Sequence, residues 1–184
     1  MPELGELKIR YLTKNITHHE LFRLASFYLS EQLYQYASEL YGHFLELNLD
    51  EPIYQQRIAI AFYNRALALF SLKLYSSALP EFQQAYEYNN KLHDALRMIG
   101  TIYFINQDKE KALSAWKEYL LINITPSSER ISVEQAVTLL SDPNFSFTQE
   151  ELNKTPKLPN NTWPFLKPDI IPNPDSKYEK KRII

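Results

Sequence analysis

One pattern occurs three times in this chain, as Ala37-x3-Tyr41-x2-Phe44, Ala78-x3-Phe82-x2-Ala85 and Ala112-x3-Trp116-x2-Tyr119. The second and third copies lie 34 residues apart, whereas the first and second lie 41 apart, which is one period plus a seven-residue insertion. Each copy follows a small residue with an aromatic residue or leucine three positions later: Ala25 and Tyr28, Ala66 and Leu69, Gly100 and Tyr103. Such a period is typical of stacked pairs of helices, so the sequence predicts an all-α repeat fold.

The pattern predicts six helices in three repeats, at 18–49, 53–90 and 92–125. Thr17-His-His-Glu20 is a capping box that starts the first helix near residue 18. The third helix is expected to be longer than the others and to contain the insertion. Pro80 falls inside the fourth helix, which must therefore start late or kink. The expected helices are about 18–30, 33–48, 53–72, from near Tyr75 to 89, 92–106 and 109–123.

Two further segments flank the repeats. Residues 1–17 form an N-terminal arm, in which apolar Leu7, Ile9 and Tyr11 alternate with polar residues and predict a short extended segment. In the region 126–153, Ser132-Val-Glu-Gln135 is a second capping box, which predicts a helix at about 132–141. Because the last repeat of a stack has an exposed face, we expect this helix to cap it.

A proline-rich tail follows at 154–184. It holds six of the eleven prolines and is predicted to be extended or polyproline-like. Its apolar residues predict that the tail docks either on the chain's own repeats or on a neighbouring subunit, and the sequence leaves both possibilities open. The expected docking residues are Trp163, Phe165, Leu166, Ile170 and Ile171.

The composition excludes several classes of function. The 184 residues carry a net charge of −2, which gives no reason to expect nucleic acid as a partner. There is no cysteine, so thiol catalysis and thiolate metal sites are excluded. No apolar run is long enough to span a membrane, and the first residues lack the apolar core of a signal peptide. We therefore expect no membrane insertion and, if Met1 is the native start, a cytoplasmic location.

No set of residues predicts catalysis. The four histidines lack the spacing of metal ligands, and neither a Gly-x-Ser-x-Gly motif nor a phosphate-binding glycine loop is present. The sequence therefore predicts no enzyme activity, no catalytic residues, no metal site and no cofactor.

The repeats resemble the tetratricopeptide repeat (TPR) family over about 18–125. The resemblance rests on the small residues, on the tyrosines that open the second helices (Tyr34 and Tyr75) and on the Ala-x3-aromatic pairs. The third copy departs at its turn, where Gln107 and Lys109 replace the usual glycine and tyrosine. The resemblance implies a right-handed superhelix of three helix pairs, with a concave wall built by the first helix of each repeat. By matching positions, the wall positions are Phe22, Ser26, Leu29, Tyr63, Asn64, Leu67, Phe70, Arg97, Thr101 and Phe104.

The resemblance also bears on the ligand. One TPR subclass grips the C-terminal carboxylates of chaperones with a clamp of lysine, asparagine and arginine. Of the matching positions here, Asn64 alone has the required residue, since Phe22, Ser26, Asp94 and Met98 lack the expected amide or basic groups. Because a free carboxylate needs charge-assisted donors, this disfavours a carboxylate clamp.

Two functions remain. The first is a non-catalytic adaptor or scaffold that binds a peptide or helix of a protein partner in an aromatic-lined concave groove. The alternative is a structural subunit of a large assembly, which docks through its tail and convex face while its own chain occupies the groove.

Overall fold

The computed structural model describes residues 4–47, 49 and 51–148, which are all-α and contain no strand. The tail and its expected docking residues lie outside this range. Within it the chain forms two compact units, the first ending at Asn89 and the second beginning at Asn90. The helices of the first unit are α1 Leu4–Leu12, α2 His18–Ser30, α3 Tyr34–Leu45, a 3-10 turn at Pro52–Tyr54, α4 Gln55–Ser71 and α5 Tyr75–Tyr88. Those of the second unit are α6 His93–Ile105, α7 Lys109–Ile122 and α8 Ser128–Ser141.

The six repeat helices are confirmed as α2 to α7, and they pack as the pairs α2–α3, α4–α5 and α6–α7. The predicted capping box at the start of α2 is also confirmed. Glu20 N–H donates to Thr17 Oγ1 (3.3 Å), and Thr17 N–H donates to Glu20 Oε2 (2.9 Å). The 34-residue register therefore describes real helix pairs.

The seven-residue insertion lengthens the first helix of the second repeat, as predicted. α4 has 17 residues, against 13 in both α2 and α6, and the 3-10 turn adds three more before it. The extra residues, 52–58, pack back on the first repeat. The ring of Tyr54 meets the ring of His18 edge-on at 5.2 Å, and the Arg57 guanidinium lies 5.7 Å from the centre of the Phe22 ring.

The prediction of an extended N-terminal arm is wrong, because residues 4–12 form helix α1. Leu7 is buried, but Ile9 is 62% exposed, so alternate residues do not share a face. Leu4, Leu7 and Tyr11 contact the core instead, and this spacing of three and four residues is helical. Arg10 joins α1 to the capping box through its hydrogen bond to Glu20 Oε1 (2.9 Å).

Pro80 lies inside α5, at the sixth residue of a helix that begins at Tyr75, so the alternative of a late start is wrong. A proline here cannot donate a hydrogen bond to the carbonyl of Ser76 one turn earlier. Both residues are exposed, so water can satisfy that carbonyl.

Each helix pair turns through a non-glycine residue with a positive φ angle. Gln32, Lys73 and Gln107 have φ angles of 60°, 61° and 62°. In each turn the next residue donates to a carbonyl five residues back, as Leu74 N–H does to Leu69 O (2.9 Å). This is the Schellman ending of a helix, where glycine is the usual residue because it has no Cβ to oppose a left-handed backbone.

Glycine at one of these turns should therefore stabilise the chain. We expect Lys73→Gly to raise the free energy of unfolding by about 1 kcal/mol, because it relieves the left-handed strain at a small cost in unfolded-state entropy. Lys117→Gly is the matched control, since Lys117 is an exposed lysine inside α7. It should lower the free energy of unfolding by about 1 kcal/mol. Urea unfolding of both variants tests the pair, and a loss of stability in Lys73→Gly would contradict the strain argument.

In the second unit α6 packs on α7 through its glycine. A Cβ added at Gly100 would lie 2.3 Å from Cδ1 of Trp116, so these helices approach more closely than any other residue would allow. The Trp116 side chain is fully buried, and its Nε1–H donates to the carbonyl of Arg97 (3.0 Å).

The predicted capping helix exists as α8, which packs on α7 and buries Val133 and Leu140. Its expected start at residue 132 is wrong, because Ser127 is the N-cap and accepts from the N–H of Arg130 (3.1 Å). Ser132 lies inside the helix, where its hydroxyl donates to the carbonyl of Ser128 (2.9 Å). The Arg130 guanidinium ties α8 to the end of α7 by donating to the carbonyls of Leu120 (2.8 Å) and Asn123.

Candidate protein-interaction surfaces

The ten wall positions are divided between the two units and are mostly closed to solvent. Nine of them are buried, and Phe70 alone is half-buried. The first unit holds Phe22, Ser26, Leu29, Tyr63, Asn64, Leu67 and Phe70. The second unit holds Arg97, Thr101 and Phe104.

A polar network connects wall positions in the first unit. The Tyr41 hydroxyl lies 2.9 Å from Ser26 Oγ and accepts a hydrogen bond from Asn64 Nδ2 (2.9 Å). Burial raises the pKa of Tyr41 above its ordinary value, against the smaller opposing effects of these two partners. Tyr41, a residue of the repeat pattern, lies on α3, the second helix of the first repeat, and Asn64 lies on α4, the first helix of the second repeat. The network therefore joins the first two repeats. The amide donor of Asn64 is thus committed to holding two repeats together.

Aromatic contacts recur in the repeat register. Phe22 meets Tyr41 at 5.5 Å, and Tyr63 meets Phe82 at 5.5 Å, both edge to face. Phe22 also meets Phe44 at 5.3 Å and is covered by Arg57, which comes from the insertion. Phe22 is therefore enclosed by Tyr41, Phe44 and Arg57.

In the second unit the chain also covers its own wall. The rings of Phe145 and Phe147 lie 6.3 and 5.4 Å from the ring of Phe104, which also contacts the ring of Trp116 at 5.7 Å. The two rings meet each other at 5.0 Å, and Lys109 Nζ lies 5.7 Å from the centre of Phe145. Phe104 is left 2% exposed. The segment after α8 therefore returns onto α6.

Sequence reasoning missed these covering residues. Phe145 and Phe147 alternate with polar residues after Pro143, which is a signal for an extended segment with one apolar face. Arg97 is one of the expected wall positions, but its side chain is 1% exposed and its Nε donates to Asp94 Oδ1 (2.9 Å).

Exposed apolar side chains lie elsewhere on both units. In the first unit they include Ile9 and Leu12 of α1 and Tyr36 of α3. In the second unit Leu121 is 78% exposed, Ile124 is 79% exposed and Ile131 is 53% exposed, all at the junction of α7 and α8. Grouped apolar residues on a surface mark interaction sites more often than single ones do.

The described residues contain no group of three or more His, Asp or Glu side chains that could hold a metal ion. His43 instead stacks on Tyr11, whose hydroxyl lies 2.7 Å from His43 Nδ1. None of the helices in the described range is both long and apolar enough to cross a membrane.

Known proteins with this helix architecture are found among solved structures. No protein-family model matches the sequence. No curated protein matches it either. Among solved structures, MamA superposes with a TM-score of 0.62 at 22% identity, covering 74% of each chain. The first TPR domain of Spaghetti (RPAP3), bound to the HSP90 peptide SRMEEVD, gives a TM-score of 0.53 at 21% identity, covering 66% of this chain and 94% of that one.

The fold is TPR-like. The TPR domain of OM64 from Arabidopsis agrees, with a TM-score of 0.50 at 18% identity, covering 64% of this chain and 97% of that one. The expected repeat architecture is thereby confirmed. At these levels of identity the likeness establishes the TPR-like fold and leaves the ligand to be argued from the residues of this chain.

Proposed function

We propose that this protein is a non-catalytic scaffold, whose wall positions are closed by its own chain and whose protein partners dock on its outward surfaces. The observation that carries the proposal is the cover over Phe104, because Phe145 and Phe147 take the place that a partner's side chains would fill. Repeat folds of this kind serve mainly to present surfaces to other proteins. No nucleic acid, cofactor or membrane enters the proposal.

The covers in the two units support this reading independently. Arg57 lies over Phe22 in the first unit, and the two phenylalanines lie over Phe104 in the second. Full burial of such a side chain is worth about 1.5–3 kcal/mol, and displacing these half-buried rings would cost part of that, so a ligand would have to compete with the chain itself. The exposed apolar residues Leu121, Ile124 and Ile131 carry no such cost, since they are already in contact with water.

The rival is the adaptor that binds a peptide in the aromatic groove. It is favoured by Phe70, the one half-buried wall position, and by the peptide bound to the Spaghetti domain. A carboxylate terminus is nevertheless a poor ligand, because Asn64 Nδ2 is already bonded to Tyr41 and Arg97 to Asp94. The groove ligand in this rival is an apolar or amphipathic segment.

Partner capture with surface variants separates the two functions. We expect the double variant Leu121→Asp, Ile124→Asp to capture at least about tenfold less partner than the unmodified full chain, since a buried charge at an interface is strongly unfavourable. Its melting temperature should not change, because both residues are exposed and surface substitutions cost little.

The matched control is Phe70→Ala, which probes the groove. The scaffold proposal expects capture with this variant to equal that of the unmodified chain. Capture that is lost with Phe70→Ala and retained with the aspartate variant would support the groove adaptor and contradict the scaffold.

A further inference from the structure

A cleft of about 240 Å³ lies among α1, α2 and α3. It contains none of the wall positions and none of Leu121, Ile124 and Ile131, the surface residues of the scaffold proposal. Its floor is apolar, made by Leu24 and Leu40, which are 1% and 4% exposed. Its walls are three tyrosines, Tyr11, Tyr28 and Tyr36. The volume suits one or two side chains of a peptide, and it is below the range of ordinary small-molecule sites.

The three tyrosine rings form an aromatic surface and are fixed by contacts with neighbouring side chains. The rings of Tyr28 and Tyr36 lie 5.3 Å apart and are tilted by 31°, and Tyr36 is 56% exposed. Tyr11 is fixed on the other side by its contact with His43 (2.7 Å). Grooves lined by aromatic rings recognise proline-rich segments, because a polyproline II strand is already extended and loses little entropy on docking.

One acidic group stands at the edge of the cleft. Glu39 is exposed, and its charge adds to the effect of burial in raising the pKa of Tyr11. Lys8 also lines the cleft, with its Nζ 5.4 Å from the centre of the Tyr28 ring. The apolar floor and aromatic walls suit a segment with apolar and proline residues, and Glu39 can pair with one cation of that segment.

We propose that the cleft binds the segment 163–168 of this chain's own tail, Trp-Pro-Phe-Leu-Lys-Pro. Pro164 and Pro168 fix their own φ angles and also restrict Trp163 and Lys167 before them, so four of the six residues favour an extended backbone. With three residues per turn, Phe165 and Pro168 share one side of such a strand. These two side chains enter the cleft, and Lys167 pairs with Glu39.

A long connection precedes this segment. The segment begins 15 residues beyond residue 148, and an extended strand of that length spans about 45 Å. The inference goes beyond the scaffold function, since it holds whichever partner the scaffold binds.

Limited proteolysis of the full chain tests the inference. Chymotrypsin cleaves after Phe165 within the segment and after Tyr178 beyond it, and a synthetic peptide of residues 160–180 gives the unprotected rate at both bonds. We expect cleavage after Phe165 to be at least about tenfold slower in the protein than in the peptide, because cleavage requires the segment to leave the cleft. Cleavage after Tyr178 should proceed at the peptide's rate.

Variants of cleft residues test whether the slower cleavage after Phe165 results from docking in the cleft. Tyr36→Ala and Glu39→Lys should each abolish it, and Glu39→Lys combined with Lys167→Glu should restore it. Tyr88→Ala is the matched control, since Tyr88 is an exposed tyrosine of α5 outside the cleft (43%), and it should leave protection unchanged.

Three outcomes would overturn the inference. Cleavage after Phe165 at the peptide's rate would show that the segment does not dock. Protection that survives both Tyr36→Ala and Glu39→Lys would place the segment elsewhere. Protection that disappears on hundredfold dilution would assign the cleft to the tail of a second copy.

Discussion

Replacing Gly100 with alanine should lower the free energy of unfolding by about 2 kcal/mol, although alanine is the better helix former by about 1 kcal/mol. The added Cβ would lie 2.3 Å from Cδ1 and 2.4 Å from Nε1 of Trp116. The indole cannot yield easily, because it is fully buried and its N–H is bonded to the carbonyl of Arg97. Movement of the ring would leave that buried donor unpaired, which itself costs about 1–3 kcal/mol.

Gly42 provides the matched control within the same chain. It is also a buried glycine inside a repeat helix, but its added Cβ would meet the Arg65 side chain at 3.4 Å, an ordinary contact. Gly42→Ala should therefore be neutral or should stabilise the chain by up to about 1 kcal/mol. Urea unfolding of both variants gives the comparison. Equal effects of the two substitutions would show that α6 and α7 are not in close contact.

The double variant Phe145→Ala, Phe147→Ala should lower the free energy of unfolding of the second unit by about 2–4 kcal/mol, less than two fully buried phenylalanines would cost. Both rings are half-buried and pack on Phe104 and on each other. Their removal exposes Phe104, so binding of a dye that reports apolar surface should increase. Thermal unfolding and dye titration measure the two effects.

The variant Phe145→Leu, Phe147→Leu is the control for this prediction. Leucine keeps most of the apolar volume, so it should retain most of the stability and bind little dye. If the alanine variant is as stable as the unmodified chain and binds no more dye, the segment after α8 does not cover Phe104.

The repeat fold was predictable because its signal is periodic. The small and aromatic residues recur at fixed offsets, and each recurrence corresponds to one close helix pair, as Gly100 and Trp116 show. The insertion was predictable for the same reason, since the break in the period measures its length. The start of α8 was not predictable, because both Ser127 and Ser132 have side chains that can cap a helix. Only packing on α7 selects Ser127 as the N-cap.

The closure of the wall positions could not be predicted from the repeat. Arg57 lies in the insertion, and Phe145 and Phe147 follow α8, so none of the three has an equivalent in another copy. A family pattern describes what the repeats share, and these covers are residues that they do not share. The arm was misread for a different reason, because in α1 the positions of Leu7, Ile9 and Tyr11 satisfy strict alternation while Leu4, Leu7 and Tyr11 satisfy the helical spacing.

Thiol labelling tests the closure of the wall positions most directly, since the chain contains no cysteine and a single one can be placed at will. Ser26→Cys and Thr101→Cys report one wall position in each unit, at 2% and 0% exposure, and Ser30→Cys reports an exposed site on α2. We expect the two wall cysteines to react at least about 100-fold more slowly than the exposed one under native conditions, because a buried thiol reacts only on opening. If both wall cysteines reacted at rates within about threefold of the rate at the exposed site, the wall would be open to ligand and the scaffold proposal would be wrong.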